Sequence, residues 1–270
     1  MEVKNMGSRN RKWDEVRYHQ YLKEGRGQGV GPEYKPWIKV YDFPSNGTVC
    51  RIHGQKTGRI HHFMSTNELR YFFLLEWSEQ ILDIREQYPL ADVEQALRIA
   101  QEADIGYPKD RISGFPYILT SDFMITTSSG HLIRTIKMSD ELQNIRTIEK
   151  LEIERRYWKL RGIDWKVVTE KEIPVQKAKN IEWIYTSRPP DVDHHLLKGA
   201  IQEMLRLYDS TTIPVARITS LLEKKYSLPI GAGLSIYKHL LATRRIVVNM
   251  DSKIQLSCSR GPECFRGIAV

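Results

Sequence analysis

The chain has 270 residues, 41% of them apolar, enough for one large domain or two ordinary ones with packed cores. Lysine and arginine total 41 against 33 acids, a net charge of +8, so the surface favours polyanions such as nucleic acid. No apolar run approaches the roughly 20 residues that span a bilayer, the amino-terminal MEVKNMGSRNRKW lacks the apolar stretch of a signal peptide, and three cysteines, Cys50, Cys258 and Cys264, match no disulfide framework or CxxC zinc site.

A globular, cytoplasmic protein with free thiols and no membrane partner is the expectation, with Cys258 and Cys264 open as a weak metal or redox pair. The basic runs SRNRK (8–12), EKK (223–225) and TRR (243–245) read singly as solvated faces.

Residues 1–60 are rich in Gly, Arg and aromatic residues with little helical periodicity, which predicts a loop-rich arm or cap. GRGQGVG (25–31) has the glycines of a phosphate loop, but no clear strand precedes it and a Pro follows closely. Next, STNELRYFFLLEWSEQ offers Ser65 or Thr66 as N-cap and apolar residues at Leu69, Phe72, Phe73 and Leu75 with helical spacing. Glu68 falls in the first turn, where an acid complements the helix dipole without any chemistry. ILDIREQYPL alternates as a strand ended by Pro89, and VEQALRIAQEADIG (93–106) reads as a short helix.

YILTSDFMITTSSGHLIRTIK (117–137) is two apolar β-runs joined by the small-residue turn TTSSG. A hairpin folds its second strand beside its first, so Asp122 and Lys137 meet near one end of the pair. Two readings stand. One is a cross-strand salt bridge, contributing about 0–1 kcal/mol if exposed. The other is a nuclease centre, in which a carboxylate holds Mg²⁺ and a lysine steadies or deprotonates the attacking water.

SDELQNIRTIEKLEIERRYWKLRGI follows as a long amphipathic helix with Leu142, Ile145, Ile148, Leu151, Trp158 and Leu160 on its apolar stripe, and DWKVVTEKEI supplies another strand. Helix, strand, hairpin, helix and strand in that order predict an α/β domain with a mixed sheet flanked by helices. The Pro-containing joint TSRPPDVDHH (186–195) marks a boundary. Beyond it, three helices (HLLKGAIQEMLRLYD, IPVARITSLLEKKYSL, GAGLSIYKHLLATRR) precede two short strands, RIVVNM and KIQLSC, the plan of a winged helix. Its third helix offers few groups for base edges, so phosphate or protein contact is expected. His194 and His195 lack a third ligand and read as surface. The expected organisation is an arm over 1–60, a catalytic domain over 61–186 and a winged-helix-like domain over 187–270.

Glu68 on a helix, Asp122 on a strand, and Lys137 two residues after Thr135 on the paired strand resemble the restriction-endonuclease-like pattern of an acid, then Asp, then an acid or amide, any residue, and Lys. GRGQGVGPEYKPW, KTGRIHHFMS, LEWSEQILDIREQYPL, TSDF, RTIEKLEIERRYW and KNIEWIY, in that order, resemble the TnsA endonuclease family of Tn-seven-like transposons.

The resemblance implies a restriction-endonuclease-like nuclease that nicks the 5′ strand at each transposon end, beside the DDE transposase TnsB and the ATP-dependent regulator TnsC. It implies Glu68, Asp122 and Lys137 as catalytic residues, with Glu68, Asp122 and the Ile136 carbonyl as metal ligands. Mg²⁺ is the expected ion and Mn²⁺ a substitute, since hard oxygen ligands and a phosphate substrate suit both. Thr135 departs from the family pattern, being a weaker and neutral ligand. Glu154 is a candidate to supply the missing charge, although a helical Glu beside Arg155 and Arg156 also reads as a solvated acid. A silent DNA-binding or bridging subunit, and a stand-alone restriction or repair nuclease, are the competing functions.

Overall fold

The computed structural model describes residues 12–42, 49–185, 192–210 and 212–257. The chain divides into two compact units, Met1–Ile173 and Pro174–Val270.

In the first unit, helix α1 (Glu15–Lys23) begins at Asp14, whose carboxylate accepts the Arg17 N–H. The arm expected to be loop-rich thus carries a helix. Its only buried residue is Tyr21, which packs with Trp13 and Trp37 in an aromatic cluster assembled from distant segments, so local periodicity carries little trace of it. A hairpin of β1 (Cys50–His53) and β2 (Ile60–Phe63) leads into α2 (Thr66–Trp77), whose N-cap is Ser65.

Then come β3 (Ile81–Pro89), α3 (Val93–Glu102), β4 (Thr120–Thr127), β5 (Gly130–Ile136), α4 (Ile145–Lys159) and β6 (Asp164–Val168). The sheet order is β3-β4-β5-β6, with β3, β4 and β5 antiparallel and β6 parallel to β5. This is the expected mixed sheet flanked by helices. The β4–β5 turn closes at Gly130, whose φ of +131° only glycine adopts without strain. The two sides of the sheet have different covers. Phe123 of β4 meets Phe63 and Tyr71, on β2 and α2, while Met124 and Ile133 pack with Ile153, Tyr157 and Trp158 of α4.

The long helix is interrupted. A 3₁₀ turn (Glu141–Gln143) ends at Asn144, whose side chain accepts the N–H groups of Arg146 and Thr147 and starts α4 there. Ile145, Ile148 and Leu160 of the expected stripe are exposed; the buried face is Leu151, Ile153, Glu154, Tyr157 and Trp158.

The second unit holds α5 (Val175–Tyr185), α6 (His194–Ser210), α7 (Val215–Lys225) and α8 (Ala232–Ala242). The three helices after the joint form as expected. The two wing strands do not: the described residues of RIVVNM and KIQLSC contain no strand. A side chain takes carbonyls there instead, because the Asn180 amide of α5 donates to Met250 O at 2.8 Å and Ser252 O at 2.7 Å. Residues 186–191 of the joint, 8–11 of the first basic run, Cys258 and Cys264 lie outside the described residues. Cys50 forms no disulfide. No helix among the described residues is long and apolar enough to cross a membrane.

Candidate active site

The β4–β5 register sets the first contact. Phe123 stands opposite Arg134, which places Asp122 opposite Thr135 and Lys137 just past the strand end. Lys137 Nζ is 3.5 Å from Asp122 Oδ2 and donates to the Ile136 carbonyl at 3.0 Å. The Ile136 N–H donates to the same Asp122 Oδ2 at 2.6 Å. Asp122 is 8% exposed, so this is no solvated surface pair. The Asp122 charge raises the Lys137 pKa above its ordinary value against the opposing effect of burial, with Glu154 and Glu68 adding to the rise.

Glu68 reaches the same cluster from α2. Ser65 accepts the Glu68 N–H and donates its hydroxyl to Glu68 Oε1 at 2.9 Å, while the Met64 N–H donates to Oε2 at 3.0 Å. Those bonds are the helix-start role. They do not account for its burial beside a second acid. Burial and then the Asp122 charge push the Glu68 carboxyl up to about 7, over the opposing hydrogen bonds from Met64 and Ser65.

Glu154 is buried, and the solvated reading does not hold, because Arg155 and Arg156 pair with Glu152. Its Oε1 accepts the Ser121 hydroxyl at 2.6 Å and the Thr135 hydroxyl. Thr135 is therefore turned to Glu154, and Trp158 Nε1 completes the chain by donating to Ser121 Oγ at 2.8 Å. Burial pushes Glu154 up to about 7, the two hydroxyls oppose it, and the Asp122 charge adds to it. Glu68, Asp122, Lys137 and Glu154 form one electrostatic group with more acids than bases.

A buried acid outside this group went unnoticed in the sequence. Glu86 of β3 accepts from Arg59 at 2.9 and 2.6 Å, faces His61 Nδ1 at 2.8 Å and accepts the His62 N–H at 3.1 Å. His61 Nε2 in turn lies 2.7 Å from Thr57 Oγ1. Thr, His and Glu stand in the order of a nucleophile triad, but all three are almost wholly buried and the acid is held by arginine, so the set is a clamp between β2 and β3. Its signal was the position of Glu86 two residues from Ile84, an acid on the apolar side of a strand.

The remaining candidates are structural. The glycine-rich arm packs on β3, where a side chain at Gly27 would stand 2.5 Å from Pro89. Arg26 of that arm pairs with Asp42 at 2.5 Å. Glu223 of the EKK run accepts the N–H groups of Gly231 and Gly233 at the start of α8, and Lys225 pairs with Glu203. His194 and His195 are exposed neighbours on α6.

Comparison with known proteins places this geometry in context. The model of the TnsA-like endonuclease N terminal matches residues 78–170, which hold Asp122, Lys137 and Glu154. The model of the TnsA endonuclease C terminal matches residues 172–250. The chain is 36% identical over 250 residues to the transposon Tn7 transposition protein TnsA of Escherichia coli, covering 91% of this chain and 90% of that protein.

Proposed function

The chain belongs to the TnsA family, as an endonuclease subunit of Tn7-like transposition, and from that premise we propose that Glu68, Asp122 and Lys137 are its catalytic residues and that it cuts the 5′ strands at the transposon ends. The observation that carries the assignment is Lys137 Nζ at 3.5 Å from a buried Asp122, with Glu68 and Glu154 completing a group short of positive charge. The mixed sheet, with its acid on β4 and its lysine just past the end of the adjoining β5, supports a restriction-endonuclease-like core.

The donor set fits a hard divalent cation. Among the described residues no three Asp, Glu, His or Cys side chains are grouped to hold a metal alone; the ligands that the family resemblance implies, Glu68, Asp122 and the Ile136 carbonyl, are the oxygen donors that would hold it here. Asp122 Oδ2 and the Ile136 carbonyl already share one cation, the Lys137 ammonium. Mg²⁺, with Mn²⁺ as substitute, would lower the pKa of a bound water and polarise the phosphoryl group. The chain's own part is positional and electrostatic. The Lys137 ammonium, held between Asp122 and the Ile136 carbonyl, would offset charge developing on the phosphate. Asp122 holds Lys137 and the β5 backbone through one oxygen, and Glu68 brings the second carboxylate from the helix. In the hydrolysis a water oxygen bonds to phosphorus as the bond to the leaving sugar oxygen breaks.

The partners in this reading are DNA at the transposon ends, a TnsB-type transposase cutting the 3′ strands, and a TnsC-type ATPase. The arm over 1–60 caps a catalytic part over 61–186, and residues 187–270 contact partner or DNA. Strand-resolved cleavage of a donor DNA bearing both ends, with TnsB and TnsC present in Mg²⁺, tests it. The chain should give 5′-strand cuts that its Asp122→Ala form lacks while 3′ cuts persist. Identical 3′-only products from both forms would instead assign a silent bridging role.

A further inference from the structure

Gln87 lies buried on β3, between Glu86 paired with Phe123 and Tyr88 paired with Ser121. Its φ is +49°, the left-handed region, which strains a non-glycine residue. The kink moves β3 from one cover to another: Glu86 meets Arg59 and His61, whereas the Tyr88 ring lies 5.9 Å from Trp158 of α4. That need accounts for the backbone. Glycine would meet it without strain, so it does not account for a buried amide.

The amide is held and aimed. Gln87 Oε1 accepts the Thr120 hydroxyl at 3.1 Å, which leaves Nε2 to donate to Glu68 Oε2 at 3.4 Å. The adjoining Glu86 acts on the same helix start by a second route, since it anchors the His62 N–H, and the chain runs from there through Phe63 to the Met64 N–H that also holds Glu68 Oε2. The Trp37 N–H, donating to the Gln87 carbonyl at 3.2 Å, fixes the kinked backbone from the arm.

We infer that Gln87 is a positioning residue for Glu68, its amide fixing the direction in which that carboxylate meets a divalent ion beside Asp122. The inference rests on the reading of Glu68 as a metal ligand. Removal of a group that orients a ligand typically weakens metal affinity about 10–100-fold.

The test uses the purified full chain and Mn²⁺ alone, with free Mn²⁺ followed by electron paramagnetic resonance and unfolding temperature measured in parallel. Gln87→Gly removes the amide and relieves the left-handed strain; Gln87→Met removes the donor at similar volume and serves if the glycine form does not fold. Each folded variant should bind Mn²⁺ at least tenfold more weakly, and the Mg²⁺ concentration that half-saturates cleavage should rise with little change at saturation. A merely structural role moves the unfolding temperature and leaves both metal readings alone. Parent-like Mn²⁺ affinity in the variants, with affinity lost in Glu68→Gln, overturns the inference and spares the Glu68 assignment. Parent-like affinity in Glu68→Gln as well removes that assignment, and the inference falls with it.

Discussion

Two clusters around buried strand acids, Glu86 of β3 and Asp122 of β4, have surroundings that drive their carboxyls in opposite directions. Around Glu86, burial raises the carboxyl's pKa but His61 and Arg59 more than offset it, and the value falls to about 2. Around Asp122, burial pushes Glu68 and Glu154 up to about 7, the Asp122 charge adds to the rise, and one ammonium facing three carboxyls does not offset it. Burial alone therefore does not mark a functional acid. The balance of charge does: a saturated acid clamps two strands together, and an unsaturated group is suited to take up a cation and a phosphate.

The largest test of that contrast is Glu86→Gln, which leaves the Arg59 charge buried and unpaired; it should lower folding stability by about 3–5 kcal/mol in urea unfolding. A loss below about 1 kcal/mol would show that the clamp carries no weight. Glu154→Gln should act the other way in metal-free protein at high pH. A carboxyl with a folded pKa near 7 against an ordinary 4.5 gives its full stability below pH 4.5 and loses it as the pH climbs through 7, a change on the order of 3 kcal/mol.

Urea midpoints of the EDTA-treated parent should therefore fall between pH 5 and pH 8.5, less steeply in Glu154→Gln, and Mg²⁺ should restore stability more at pH 8.5 than at pH 5. Glu86 runs with the opposite sign, its stability present above pH 4.5 and lost towards pH 2.

Lys137→Arg keeps the charge but not the compact ammonium that lies between Asp122 and the Ile136 carbonyl. It should cut 5′-strand cleavage by roughly 10²-fold with stability little changed; full cleavage would reduce the pair to a salt bridge. The smallest effect belongs to an acid that is well paired but lies at the surface. Glu152 is also lowered to about 2, first by its Arg155 hydrogen bond, yet Arg155 and Arg156 are over 40% exposed. Screening by solvent should hold the cost of Glu152→Gln to about 0.5 kcal/mol.

Much of this was legible in the chain itself. Ser65 and Glu68 at the right offset announce a helix start, and the TTSSG turn between two apolar runs fixes where Asp122 and Lys137 meet, because a hairpin register follows from its turn. The start of α4 at Asn144 was missed, since the apolar spacing runs on across the cap. Glu154 looked like a surface acid because Arg155 and Arg156 adjoin it in sequence, whereas on the helix both reach back to Glu152. The wing strands failed for a long-range reason, the Asn180 amide reaching Met250 and Ser252.

The sequence by itself determined the periodic helices, the hairpin and the pairing of Asp122 with Lys137, all matters of local spacing. Only the tertiary structure decided which acids are saturated. Whether Arg59 reaches Glu86, whether Thr135 faces Glu154 and whether the Gln87 amide points at Glu68 depend on how strands distant in the chain pack together, and it is that packing which sets the charge balance at each buried carboxylate.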